Sequence, residues 1–172
     1  MRISIIGLSG SGKTTLAEMI SKKLSIPHIH LDRFWFEAGG SKLSTNSSHE
    51  EDERAREYMK KMILIELSAV SWVSDGFYSR LQPEISSRAD VVLFLDIPLW
   101  RRLLNHAKRM LKRSSRHKEV TIWDDLIFFP EIIRRTFVKG QRMRKFVEGY
   151  RDKVIVLKSR KDIDRYLRTI GK

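Results

Sequence analysis

A chain of 172 residues with 41% hydrophobic side chains is long enough to form a single domain with a substantial buried core. It has no cysteine, no apolar run long enough to cross a bilayer and no amino-terminal signal peptide, so disulfides, thiolate metal sites and a membrane partner are excluded and a cytosolic protein is expected. The 34 lysines and arginines exceed the 21 aspartates and glutamates, and the resulting net charge of +13, concentrated from residue 101 onward, favours polyanionic partners such as nucleotides or nucleic acids.

The chain begins with a strand, a glycine-rich turn and a helix. Residues 7–14 read GLSGSGKT and fit the phosphate-binding P-loop pattern G-x-x-x-x-G-K-[ST]. The preceding run RISII at 2–6 is typical of a buried parallel strand. After the loop, Leu16, Ile20 and Leu24 recur at helical spacing. This context predicts a binding site for a nucleoside triphosphate.

Each residue type in this P-loop has a chemical reason. The glycines allow the backbone to come close to a ligand, and the loop amides and the positive end of the following helix converge on an anion. Lys13 can reach the β- and γ-phosphates, and the Thr14 hydroxyl can bind Mg²⁺. We therefore expect ATP and Mg²⁺ as ligands. The expected nucleotide-binding residues of the loop are Gly7, Ser9, Gly10, Ser11, Gly12, Lys13, Thr14 and Thr15.

A second short strand is predicted over residues 25–31, and Asp32 follows it where the strand meets a loop. This carboxylate could accept the proton of an attacking hydroxyl, beside the aromatic residues 34–36 that could stack on a ring. Alternatively, Asp32 is a turn residue and the aromatic side chains fill the core. A long polar loop over residues 37–48 comes next.

His28 and His30 alternate along the second predicted strand and therefore share one face of it. No cysteine or aspartate at a suitable spacing supports a zinc site. We expect the two histidines to pack in the interior or to line a pocket.

A helix is predicted from His49 to about residue 70, followed by a third strand over residues 72–74 that ends at Asp75 and Gly76. An acidic residue at this place holds Mg²⁺ or its waters in many P-loop enzymes. We therefore expect Asp75 to be a metal ligand together with Thr14; the alternative is an N-cap or turn aspartate.

The fourth strand, VVLFL at 91–95, leads through Pro98 into a helix that continues to about residue 113 and carries many basic residues. Arg109 and Arg113 are expected to belong to a lid that closes over phosphates and spreads the charge on the transferring group. A solvated face or a nucleic-acid patch is the alternative. The other arginines of this run, including Arg102, are expected on the surface.

Residues 123–150 are predicted to be helical with a break near Pro130, and their aromatic side chains are expected in the core rather than as a platform for bases. A fifth strand at 154–157 and a closing helix at 162–170 complete the chain. Strands that alternate with helices predict an α/β fold with a parallel sheet covered on both faces. Ligands are then expected at the carboxyl ends of the strands.

Four segments besides the P-loop carry a resemblance: HLDRFWF, WVSDGFYSR, VVLFLDIPLWRR and VIVLKSRKDIDRYL. Together they resemble the adenylate kinase-related proteins of the topology-modulation (FlaR-related) family over nearly the whole chain. The resemblance implies a three-layer P-loop kinase fold with a five-stranded parallel sheet, helices on both faces and a helical lid. It implies one domain, 1–172, with the core at 1–36, 71–98 and 153–172, an acceptor-binding segment at about 37–70, and a basic lid and helical segment at about 99–150.

The resemblance also implies residue roles. Asp75 matches the acidic residue of the Asp-Gly-Phe-Pro-Arg motif of nucleoside monophosphate kinases, and Arg80 matches its phosphate-binding arginine with one extra residue between them. Arg109 matches a lid arginine that contacts transferring phosphates, whereas Asn105 stands where a second one is expected. Residues 158–160 resemble the loop that touches adenine, which makes Arg160 a nucleotide-binding candidate. The candidates to replace the second lid arginine are Arg101, Arg102 and Arg113.

The expected activity is transfer of the γ-phosphate of Mg-ATP to a nucleotide, a nucleoside or another small acceptor. The segment at about 37–70 lacks the pattern that identifies AMP recognition, so the acceptor stays open, as does the oligomeric state. The alternative is a nucleic-acid-associated ATP-binding regulator of DNA topology, with the basic second half on the phosphate backbone. The predicted catalytic residues are Lys13, Asp32, Arg80, Arg109 and Arg113.

Overall fold

The structure is a computed structural model that describes residues 1–38, 49–114 and 129–171, with the backbone alone at 49, 51, 52, 110–114 and 129–137. Within these ranges five strands form one parallel sheet in the order β2-β3-β1-β4-β5. All five predicted strands are confirmed, the second being shorter than expected. The strands are β1 (Arg2–Gly7), β2 (His28–His30), β3 (Trp72–Asp75), β4 (Val91–Leu95) and β5 (Val154–Leu157).

The register of the sheet positions the later site. β1 lies in the middle, with Ile5 opposite both Asp75 of β3 and Leu93 of β4. On its other side β3 pairs with β2, which sets His30 opposite Asp75. Because all the strands are parallel, their carboxyl ends meet at one edge of the sheet, where ligands bind in folds of this type.

Helices of the described residues cover both faces of the sheet, which confirms the predicted layered α/β fold. Two predictions were wrong in detail. Asp32 and the aromatic residues 34–36 lie in a helix rather than in a loop, and residues 82–88 form a helix that the pattern did not predict. The helices are α1 (Lys13–Leu24), α2 (Leu31–Glu37), α3 (His49–Glu66), α4 (Gln82–Arg88), α5 (Leu99–Ser114), α6 (Phe129–Glu148) and α7 (Arg160–Thr169).

Both exceptions are helices of seven residues. A helix of two turns shows little periodicity in its sequence and is formed mainly through its packing. In α2 the buried residues Leu31 and Phe34 are three positions apart and face the core. In α4 the buried Ile85 faces the core. Tertiary contacts therefore decide these two elements.

Alternation along the strands divides the core between the two faces. Ile3 and Ile5 of β1 pack with apolar residues of α1 and α7 on one side. Ile6, on the opposite side, packs with apolar residues of α2, α3, α4 and α6, including Phe34 and Met59. Such burial on both faces is the reason why β4 is a continuous apolar run and β1 is interrupted only by the buried Ser4 between Ile3 and Ile6.

Several predictions lie outside the described residues. These are most of the polar loop at 37–48, the charged loop after α5, and Trp123 and Phe128. Among the described residues α6 covers Phe129–Glu148, and the residues before it, on which the predicted break near Pro130 depends, lie outside them. Among the described helices, none combines the length and the apolarity that crossing a membrane requires.

Candidate active site

The P-loop runs from the end of β1 into α1. Its backbone is closed by a hydrogen bond from the Ser11 amide to the Leu8 carbonyl at 3.1 Å. Gly12 takes φ +90° at the start of α1, a left-handed conformation in which glycine has no steric penalty. No side chain caps α1 at this end, so the first amides of the helix stay available for an anion.

The first half of α5 packs directly on this loop. Asn105 Nδ2 donates a hydrogen bond to the Gly10 carbonyl at 2.8 Å, and Arg102 Nη1 lies 3.5 Å from the Ser9 carbonyl. At Gly10, with φ +79°, a Cβ would lie 2.8 Å from both the Arg102 carbonyl oxygen and His106 Cδ2. These contacts with α5 hold the loop backbone in place. Arg102 is only 2% exposed, so its predicted place on the surface was wrong.

Lys13 folds back over the loop, and its Nζ donates a hydrogen bond to the Leu8 carbonyl at 3.2 Å. Burial lowers the pKa of Lys13, and the like charges of Arg109 and Arg102 act in the same direction. The carboxylates of Asp75 and Asp32 act against that lowering. Both carboxylates that the sequence analysis selected therefore lie near enough to Lys13 to influence its pKa.

Asp75 ends β3 and accepts three hydrogen bonds although it is 2% exposed. Thr14 Oγ1 donates to its Oδ2 at 2.6 Å, while His28 Nε2 and His30 Nδ1 lie 2.9 Å and 2.7 Å from its Oδ1. Burial on its own raises the pKa of Asp75, but the hydrogen bonds from His28, Thr14 and His30 outweigh it and lower the pKa to about 2. Asp75 is thus a carboxylate at neutral pH.

The Thr14 hydroxyl and the Asp75 carboxylate form a pair of hard oxygen donors beside the P-loop. Oxygen ligands of this kind suit Mg²⁺, which usually takes one or two protein ligands and completes its shell with water and phosphate oxygens. The donor chemistry of this pair therefore fits the predicted metal. The same contacts give His28 and His30 a hydrogen-bond partner, Asp75, that the sequence analysis did not predict.

Asp32 lies in the first turn of α2, immediately after β2. Tyr78, three residues beyond Asp75, donates its hydroxyl hydrogen to Asp32 Oδ1 at 2.6 Å. Burial raises the pKa of Tyr78, and the hydrogen bond to Asp32 and the charge of Asp32 raise it further. Tyr78 therefore remains a donor that orients the carboxylate.

One cavity of about 1040 Å³ joins the P-loop to Asp32 and Arg80. Trp35 and Phe36 line it, whereas Phe34 is fully buried in the core, so both readings of the aromatic cluster hold in part. Cations outnumber carboxylates among its lining residues, which favours an anionic ligand. The lining cations are Lys13, Arg56, Lys60, Arg80, Arg102, Lys139 and Arg142, and the carboxylates are Asp32, Glu53, Glu57 and Glu84.

Not every predicted site residue meets this cavity. Arg160 opens α7, pairs with Asp164 at 3.1 Å and does not line the cavity. Arg109 is exposed on α5, near enough to influence the pKa of Lys13, and Thr15 is exposed on α1. The side chain of Arg113 lies outside the described residues.

Three groups of contacts that shape the site escaped the sequence analysis. Arg102 and Asn105 were visible as a pair three positions apart on α5, but only the packing shows that this side of the helix faces the P-loop. Tyr78 falls within the segment WVSDGFYSR, yet its partner Asp32 is 46 positions away. The contact between Asp75 and the two histidines likewise depends on the pairing of β2 with β3.

The chain is similar to several known proteins. A model of the AAA domain family matches residues 3–125, well over half of the chain. An adenylate kinase from Caldicellulosiruptor bescii is 39% identical over 67 residues, which cover 38% of this chain and 27% of that protein. An adenylate kinase from Thermosynechococcus vestitus is 28% identical over 138 residues, covering 67% of this chain and 70% of the relative.

The fold is also that of known kinases. The crystal structure of shikimate kinase from Aquifex aeolicus superposes with a TM-score of 0.55 over 99% of this chain and 93% of that one, at 19% identity. At this identity the likeness establishes the architecture alone, and that architecture is the predicted P-loop kinase fold.

Proposed function

Because the chain belongs to the AAA domain family and has a P-loop kinase fold, we propose that it transfers the γ-phosphate of ATP to a small acceptor. One observation carries this proposal: Lys13 of the P-loop and Asp32 line the same cavity. A cation suited to binding phosphate and a carboxylate that can accept a proton thus line one cavity. This is the arrangement that transfer to a hydroxyl group requires.

The P-loop amides and Lys13 would hold the β- and γ-phosphates of ATP. Thr14 and Asp75 would hold Mg²⁺, which neutralises phosphate charge when it is bound. The contacts of Arg102 with the Ser9 carbonyl and of Asn105 with the Gly10 carbonyl would hold the loop backbone in place before the nucleotide binds. Binding then costs little reordering of the loop.

Asp32 would take the proton of the acceptor as the acceptor oxygen bonds to the γ-phosphorus. The bond between that phosphorus and the β–γ bridging oxygen breaks, and ADP leaves with the bridging oxygen. Tyr78 donates to Oδ1 of Asp32, which holds the carboxylate in one orientation. Arg80 lines the cavity and would bind an anionic group of the acceptor or the transferring phosphate. Where the acceptor is itself a phosphate, no base is required and Asp32 would act in binding alone.

The proposed division of the chain has support from the lining of the cavity. α3 lies within the proposed acceptor-binding segment and contributes five of the lining residues, among them Arg56 and Lys60. α6 lies within the proposed lid segment and contributes Lys139 and Arg142. Arg109 and Arg113 remain proposed lid residues that would approach the phosphates on closure.

The names of the similar proteins suggest adenylate and shikimate as first acceptors to test. Purified protein is incubated with Mg-ATP and a panel of nucleoside monophosphates, nucleosides, shikimate and small alcohols, and products are identified by a mass gain of one phosphoryl group. We expect at least one acceptor to be phosphorylated. With a hydroxyl acceptor, Asp32→Asn should lower kcat by ~10²–10⁴-fold with little change in ATP affinity. Asp90→Asn is the matched control: this aspartate pairs with Arg2, is 41% exposed and should leave the rate unchanged when replaced.

An absence of product from every acceptor would contradict the proposed transfer. Under the alternative, a nucleic-acid-associated ATP-binding regulator related to the topology-modulation family, duplex DNA would be retained at physiological salt. That retention would weaken steeply as salt rises. Nucleic-acid binding and membership of that family stay predictions from the charge and the sequence.

A further inference from the structure

His28, His30 and Asp75 form a compact cluster at the edge of the sheet. The two histidines are two positions apart on β2, so their side chains share one face, and β2 pairs with β3 so that His30 lies opposite Asp75. The nearest ring nitrogens lie 2.9 Å and 2.7 Å from a single atom, Asp75 Oδ1. The three potential ligand atoms all fall within 4.8 Å of one another.

We propose that these three side chains form a binding site for a transition-metal ion of the zinc type. Two imidazole nitrogens and one carboxylate oxygen are a common protein ligand set for Zn²⁺ with an open fourth position. Bonds of ~2 Å in tetrahedral geometry put the ligand atoms ~3.3 Å apart. Each nitrogen then lies ~0.5 Å farther from Oδ1, and the two nitrogens, now within 4.8 Å of each other, approach by up to ~1.5 Å. Rotation of the two side chains supplies a displacement of this size.

The cluster is open to an ion from solvent. The His30 side chain is 42% exposed and the His28 side chain 18%, whereas Asp75 is 2% exposed. The exposed imidazole provides the route of entry, and a water can fill the fourth position. Thr14 already orients the Asp75 carboxylate through a hydrogen bond to Oδ2 at 2.6 Å. A second and a third hydrogen bond, from two histidines to Oδ1, are therefore more than orientation of the carboxylate requires.

The proton balance of binding is simple. An ionised carboxylate only accepts hydrogen bonds, so His28 Nε2 and His30 Nδ1 both carry hydrogens in the metal-free cluster. The ion replaces these two hydrogens, and each neutral imidazole carries its hydrogen on the other ring nitrogen instead. No redox step is involved. Mg²⁺ prefers oxygen ligands and is not expected to compete for the imidazoles.

Occupation of this site would have a consequence for the activity, and this part rests on the proposed function. Asp75 is shared between the histidines and Thr14, its proposed partner in holding Mg²⁺. An ion drawn toward Oδ1 would take negative charge away from the Mg²⁺ position. Zinc should therefore inhibit phosphoryl transfer through this cluster.

The test uses the full chain without nucleotide, so its outcome does not depend on kinase activity. Protein freed of metal by a chelator and dialysis is titrated calorimetrically with ZnCl₂, and with CoCl₂ to record the visible absorption of tetrahedral cobalt. We expect one ion per chain at a saturable site. The double variant His28→Gln, His30→Asn keeps N–H donors near Asp75 but removes the imidazoles, and it should weaken zinc binding at least ~10-fold.

The control is Asp164→Asn, which removes a carboxylate of α7. This helix packs on β5, at the edge of the sheet opposite β2, so the Asp164→Asn protein should bind zinc like the unaltered protein. Circular dichroism establishes that each variant is folded; where the double variant is not, each single substitution is titrated and must itself weaken binding. Absence of saturable zinc binding, or equal affinity in the histidine variants, would overturn the proposal. A protein that binds zinc in this way but phosphorylates nothing would instead contradict the proposed function alone.

Discussion

Replacement of Asp75 by asparagine tests the electrostatic account of the site. The side chain is buried and accepts hydrogen bonds from Thr14, His28 and His30. An amide has nearly the same shape, and its oxygen can still accept from the histidines while its NH₂ group faces the Thr14 hydroxyl, which can reverse its role. The substitution therefore removes the negative charge and leaves the geometry almost intact.

The size of the effect follows from the pKa. The fall of the Asp75 pKa from 3.8 to about 2 means that folding favours the ionised form over the neutral form by roughly 2 kcal/mol. The amide is the nearest neutral analogue, so Asp75→Asn should lower the free energy of unfolding at pH 7 by ~2 kcal/mol. A depressed folded-state pKa contributes stability above pH 4, and that contribution is lost as pH falls toward 2. The difference between the two proteins should shrink over the same range.

The assay is urea unfolding at pH 7, 5, 4 and 3, in a chelator-containing buffer, followed by tryptophan fluorescence; Trp72 is fully buried and reports on the core. Asp90→Asn is the matched control, since Asp90 pairs with Arg2 at 2.7 Å but is 41% exposed. Exposed pairs contribute at most ~1 kcal/mol. Equal costs for the two substitutions, or a cost at Asp75 that stays constant from pH 7 to pH 3, would refute the reasoning.

Two further substitutions examine the P-loop itself. Lys13→Ala should weaken binding of ATP and ADP with Mg²⁺ at least ~10-fold, because it removes the cation that binds the phosphates. It should not lower the melting temperature, because burial of the lysine charge opposes folding. Calorimetry measures the affinity and thermal unfolding the melting temperature, and unchanged ADP affinity would contradict the assignment of Lys13. Gly10→Ala should cost ~1–3 kcal/mol in urea unfolding, because its φ of +79° and its contacts with α5 leave no place for a methyl group. Gly140→Ala is the control, since a Cβ there meets only Leu8 at 3.5 Å within a helix, and it should stabilise the protein by up to ~1 kcal/mol; a loss of stability from both substitutions would argue against the strain at Gly10.

The P-loop and the five strands were predictable from the sequence because their signals are local. The pattern at 7–14 depends on residue types at fixed spacing, and buried parallel strands such as 91–95 are recognisable as apolar runs. Asp75 could be selected for a similar reason, since it ends a strand whose direction is fixed by the alternation of strands and helices.

What only the tertiary structure decided is which distant side chains meet. Arg102 was expected on the surface, but the packing of α5 on the P-loop buries it. His28 and His30 reach Asp75 because β2 pairs with β3 in one particular register, and Tyr78 reaches Asp32 across 46 positions. Local patterns carry no information about such pairings, since the register and the helix packing result from burial summed over the whole chain. The sequence alone therefore determined the phosphate-binding element and the order of the layers, while the partners that tune its charged residues were decided by the folded chain.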